Sequence, residues 1–135
     1  MIQRIQTVYL ILAGLFNLVA FFTPIYSRAV ADPSPWIGKG LAITMTIAML
    51  LSFITIFLYT NRERQIFWVK MATCSQLVAI GFAAGILFTL GGFGSFLIDE
   101  TMSTLLLIFA LLAQWQAGRN IRKDQELVNS MDRIR

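Results

Sequence analysis

The sequence predicts an all-α, polytopic membrane protein: four transmembrane helices and an amphipathic C-terminal cytoplasmic helix, forming one membrane domain over residues 1–135. Three observations predict it. Hydrophobic residues make up 57% of the chain and charged ones only 13%, where soluble domains carry about 25% charged residues. The mean hydropathy is +0.71. Finally, the charges fall between long uncharged runs, each close to the roughly 20 residues that cross about 30 Å of hydrocarbon.

The first run, residues 8–26 (VYLILAGLFNLVAFFTPIY), holds no charge, and Pro24 stands near its end, where a kink costs little. Arg4 followed by an apolar stretch and Ala29-Val30-Ala31 resembles a cleavable leader. The run is long for one and Arg28 lies beside the cleavage position, so it is read as a membrane span. Residues 27–38 (SRAVADPSPWIG) carry the turn chemistry of Asp-Pro-Ser-Pro and are expected to form a loop.

The second run covers residues 40–59, and NRERQ at 61–65 is a short polar gap. The third covers residues 71–90, preceded by an interfacial turn in which Lys70 snorkels to the headgroups. Gly91, Gly92 and Gly94 are expected to break the helix, and Asp99 and Glu100 to mark an aqueous turn. The fourth run, residues 101–118, is the shortest and most polar.

Two further patterns agree with this division. All six Trp and Tyr residues (Tyr9, Tyr26, Trp36, Tyr59, Trp68 and Trp115) lie at or just outside a run's end, where an apolar ring and a polar tip are both satisfied. The cations also segregate. Arg4, Arg62, Arg64, Lys70, Arg119, Arg122, Lys123, Arg133 and Arg135 fall on one side, and Arg28 and Lys39 on the other. The positive-inside rule then puts both termini in the cytoplasm. Topology accounts for the net charge of +4, so no nucleic-acid partner is expected; the expected surroundings are the lipid bilayer.

The chemistry is mostly exclusion. One cysteine, Cys74, and no histidine leave no disulfide, no CxxC pair and no imidazole for acid–base or metal work. Cys74 is expected to be a buried apolar filler. No phosphate loop, dinucleotide fingerprint or nucleophile elbow is present. No ionisable residue stands mid-span, which removes the usual proton relay. The chain is therefore expected to be no enzyme and to hold no cofactor or metal.

What remains are surfaces. Gly81 and Gly85 form a GxxxG stripe in the third run, with Ser75, Ala79 and Ala83 beside it. Small residues one turn apart let another helix approach closely. That helix is either one of the chain's own, the commoner use of such a stripe, or a partner's. Asn17 and Gln76 are the least comfortable residues in lipid, and interhelical hydrogen bonds are the reading favoured for them over a polar path. After the fourth run, residues 119–135 form the amphipathic tail. Ile121, Leu127, Val128, Met131 and Ile134 recur near helical spacing, and Arg122 is placed to pair with Glu126. The tail suits either docking of a protein or lying on the headgroups.

The opening MIQRIQTVYL at residues 1–10, and RKDQELV at 122–128 with DRIR at 132–135, resemble the ends of a bacterial family known as domain of unknown function 4293. That resemblance implies four spans, the inner membrane and a Gram-negative source, but no activity and no functional residues. The expected function is thus that of a non-enzymatic accessory subunit, assembly factor or stabiliser of a larger inner-membrane complex. The alternative is a small homo-oligomeric channel or transporter for a neutral or lipid-like solute.

Overall fold

A computed structural model describes residues 2–89 and 98–134. Among them are five helices: α1 (Ile2–Ala20), α2 (Pro24–Ala31), α3 (Pro35–Phe57), α4 (Arg62–Thr89) and α5 (Ile98–Ile134). The expected break at Gly91, Gly92 and Gly94 lies outside the described residues. Helices α3, α4 and α5 are each long and apolar enough to cross a membrane. With α1 and α2 taken together as one bent span, there are four.

The first run is not a single straight helix. It breaks after Ala20, and α2 departs at 50° to α1. The cause is Pro24, the first residue of α2. Its ring would clash with the carbonyl four residues back inside a helix, and it has no N–H to donate. Thr23 turns its hydroxyl back onto the Ala20 carbonyl at 2.6 Å instead of capping α2.

The loop expected over residues 27–38 shrinks to Asp32, Pro33 and Ser34, because α2 continues to Ala31 and α3 begins at Pro35. Ile25 and Ala29 are buried, so packing outweighs the turn chemistry on this stretch. Asp32 Oδ1 accepts the Ser34 N–H at 2.8 Å, and Pro35 starts α3 where a missing N–H costs nothing.

Helix α4 begins in the polar gap itself, capped by Asn61, whose Oδ1 accepts the Arg64 N–H at 3.2 Å. The separate interfacial turn before residue 71 is therefore part of one 28-residue helix. Likewise α5 runs 37 residues from the fourth run through the tail without a break.

Helix α1 packs against α3 and α5, and α4 against the same two, so the four long helices form a ring with α2 folded across one end. The faces turned inward are the less apolar ones. On α3 the buried face reads Leu41, Met45, Ala48, Ser52 and Thr55, while Ile43, Ile47, Leu50 and Ile54 point outward, 43–58% exposed. Helices α4 and α5 repeat the pattern with buried Ala72, Gln76, Ala79 and Ala83, and Ser103, Thr104, Ala110, Gln114 and Ala117. Small and polar residues inside, with large apolar ones outside, is the arrangement that suits helices associating in lipid.

Two apolar clusters fill the ring. One, near α2, includes Ala20, Ile25, Leu41, Met45, Ala83, Ile86 and Leu107. The other holds Leu10, Val69, Ala117 and Ile121.

Candidate functional site

Between those two clusters, in the chain order of every long helix, lies a layer of buried polar side chains. Asn17 on α1 and Gln76 on α4 are fully buried. The Asn17 amide donates to Gln76 Oε1 at 2.8 Å and to its own helix at the Ala13 carbonyl, 2.9 Å away. Gln76 Nε2 then donates to the Leu107 carbonyl of α5 at 3.1 Å. A second link joins the remaining helix: Gln114 Nε2 on α5 donates to Ser52 Oγ on α3 at 3.0 Å, and Ser52 donates to the Ala48 carbonyl at 2.8 Å. Asn17 and Gln76, marked as uncomfortable in lipid by their polarity inside apolar runs, are thus brought together, and they bond between helices as expected. The carbonyl oxygens of Asn17 and Gln114 are buried without a hydrogen-bond partner among the described residues.

Gln114 belongs to this layer although its sequence neighbourhood did not single it out. The available signal was its place among Ala110, Ala113 and Ala117, a stripe of small residues that is buried along with it.

At the end holding the start of α4 and the distal half of α5, Gln6 donates its amide to the Asp124 carboxylate. Gln65 Nε2 donates to the Thr55 carbonyl at 3.2 Å. Gln6, Gln65 and Asp124 are buried and line a groove of about 390 Å³ with Tyr59 and Arg62. At the opposite end Arg28 reaches Glu100 at 3.1 Å, the one ion pair among the described residues. Glu100 therefore does not sit in an aqueous turn: it occupies the first turn of α5 and is buried, where the helix dipole also favours its charge. Arg122 and Glu126 do not pair.

The small residues of α4 divide into two faces. Ser75 donates its hydroxyl to the Thr44 carbonyl of α3 at 2.8 Å, and Ala79 and Ala83 are fully buried, so this stripe packs inside the ring. Gly81 and Gly85 do not. A Cβ added at either would meet nothing within 4 Å, and both are exposed. The expectation that the GxxxG pair packs on the chain's own helices is corrected here. The 100° turn per residue that buries Ala79 and Ala83 carries the two glycines round to the outside. There they line an apolar groove of about 430 Å³ with Trp36, Val78 and Phe82.

The tail divides as well. Ile121 is fully buried against Leu10, Val69 and Ala117 and belongs to the core rather than to a docking face. Leu127, Val128, Met131 and Ile134 are exposed. Cys74 is exposed too, not the buried filler expected, because it follows Thr73 onto the outer side of α4. Among the described residues no three of His, Cys, Asp and Glu gather so as to hold a metal ion.

The family described as domain of unknown function (DUF4293) matches residues 35–134, more than half of the chain, and the chain belongs to it. The match takes in all of α3, α4 and α5, including RKDQELV; the likeness read in residues 1–10 lies outside it. No curated protein and no solved structure matches the chain.

Proposed function

We propose that this member of the DUF4293 family is a non-enzymatic protein of a bacterial inner membrane, crossing it four times with both termini in the cytoplasm. It serves there as an accessory subunit, assembly factor or stabiliser of a larger complex. The observation that carries this reading is the outward GxxxG pair: Gly81 and Gly85 leave room for a neighbouring backbone that no helix of this chain uses. The exposed stripe Leu127, Val128, Met131 and Ile134 at the far end of α5 offers a second contact outside the bundle. The proposed span count rests on taking α1 and α2 as one bent crossing.

The channel reading has less support. Its polar route would run along Asn17 and Gln76, whose amides are engaged with each other and with the Ala13 and Leu107 carbonyls.

The test is recovery of the tagged full-length chain from native membranes in mild detergent, with mass spectrometry of what accompanies it. A stoichiometric heterologous protein is expected, lost in Gly81→Ile/Gly85→Ile while the variant still folds. Recovery of the chain alone sinks the proposal, and a clean homo-oligomer turns the odds to a channel.

A further inference from the structure

A groove of about 640 Å³ is lined by residues of α4 and α5, within the range of about 300–1,000 Å³ typical of ligand pockets. Its outer rim is basic: Lys70 from α4, with Arg119, Arg122 and Lys123 from α5, against the single carboxylate of Glu126. All four cations are exposed, and none is ion-paired among the described residues. Arg119 instead lies over the Trp115 ring, 5.8 Å from its centroid.

Moving from the rim toward the middle of the bundle, α4 contributes Thr73 and Cys74, and α5 contributes Trp115 and Gln114. Two chemistries are therefore stacked in one groove. Uncompensated positive charge sits at the end where the four-span reading puts the cytoplasmic headgroups, and beneath it descends an uncharged wall of Thr73, Cys74, Gln114 and Trp115.

We infer that this groove binds one anionic phospholipid, its phosphate held by Lys70, Arg119, Arg122 and Lys123 and its acyl chains descending along α4 and α5. This rests on the membrane reading above but not on the accessory role. Charge complementarity selects the headgroup. Four cations meeting one carboxylate attract a phosphodiester, and a zwitterionic lipid brings a like charge to the same rim. The depth selects a lipid over a soluble phosphate, because an ion occupying only the rim would leave the uncharged wall below it, Thr73 and Cys74 included, uncovered. Basic recesses between helices at the cytoplasmic surface are suited to such headgroups.

The experiment is a lipid titration of the purified full-length chain in detergent, read by native mass spectrometry. It needs no partner protein, so its outcome is separate from that of the co-purification. Phosphatidylglycerol is expected to bind one per chain and phosphatidylcholine not to be retained, with inorganic phosphate at millimolar excess failing to displace the lipid. Lys70→Gln/Arg122→Gln is expected to weaken retention by about tenfold or more. Arg64→Gln/Arg133→Gln removes the same charge from the same end outside the groove and is expected to leave it unchanged. All four side chains are exposed, and circular dichroism verifies that each variant is folded. Equal losses in the two double variants would mean diffuse attraction and overturn the site. Displacement by inorganic phosphate would overturn the lipid in favour of a soluble anion.

Discussion

Asn17 and Gln76 show what a polar residue does in this bundle. Each would be costly facing hydrocarbon, and each instead ties its helix to another through side-chain amide hydrogen bonds of 2.8 and 3.1 Å. Interhelical bonds of this kind contribute about 0.6 kcal/mol on average and up to roughly 1.7. A double-mutant cycle of Asn17→Ala and Gln76→Ala, followed by unfolding in detergent, should therefore give a coupling of about 0.5–1.5 kcal/mol. Additive losses would show that the bond does not contribute. Glycine supplies the sharper contrast. A Cβ on Gly38 would sit 2.5 Å from the Ala29 carbonyl oxygen, backbone that cannot swing away. Gly38→Ala is expected to cost about 1–3 kcal/mol by overpacking and to loosen α2 from α3. Gly81→Ala meets no atom and should be neutral or stabilising by up to about 1 kcal/mol, the helix preference of Ala over Gly. Thermal unfolding of the two variants side by side checks both.

At the scale of elements, the uncharged runs mark where each long helix lies, but not its ends. Helices α3, α4 and α5 all begin before their runs, because a polar side chain at a helix end costs nothing when it reaches water, while the backbone gains by continuing the ladder. Proline sets the start of α2 and α3, at Pro24 and Pro35, and Asn61 caps the start of α4. Helix α5 is the extreme case. Its 37 residues extend about 55 Å at roughly 1.5 Å per residue, far beyond a bilayer's hydrocarbon. Beyond residue 118, Ile121 and Asp124 are buried, and residues 126–134 are exposed. Ile121→Ala should thus cost about 2–5 kcal/mol, as for a large side chain removed from a packed interior. Met131→Ala, 67% exposed in the wild type, should change stability by less than about 0.5 kcal/mol. Equal effects would mean that the distal turn packs on the bundle.

For the whole molecule, the ring of four helices separates two ends of different charge. The turn between α3 and α4 and the distal half of α5 carry Arg62, Arg64, Arg119, Arg122, Lys123 and Arg133; the α2 end carries Arg28 and Lys39. On the positive-inside rule, the orientation proposed above predicts opposite labelling of two new thiols in a Cys74→Ala background. With a membrane-impermeant maleimide on intact spheroplasts, Ser27→Cys should react and Ser130→Cys should react only after lysis. Both positions are exposed. Reaction of Ser130→Cys alone before lysis would reverse the topology, and reaction of both would overturn the four-span count.

The sequence by itself determined an all-α chain of long apolar helices, since so few charges interrupt it and every run long enough to span is visible in order. It also determined the end-to-end charge difference, because that depends only on where residues fall along the chain. It marked Asn17 and Gln76 as needing partners, but their partners came from other helices, 59 residues apart for the bond between them. Which of two adjacent small-residue stripes on α4 packs inside was decided only by the tertiary structure. Ser75-Ala79-Ala83 and Gly81-Gly85 have equivalent spacing, and nothing local sets the helix's rotation. The rotation follows from the buried amide at Gln76, which must face inward to reach Asn17 and the Leu107 carbonyl. That same turn places the two glycines outside, and places Lys70 and Cys74 beside the basic face of α5.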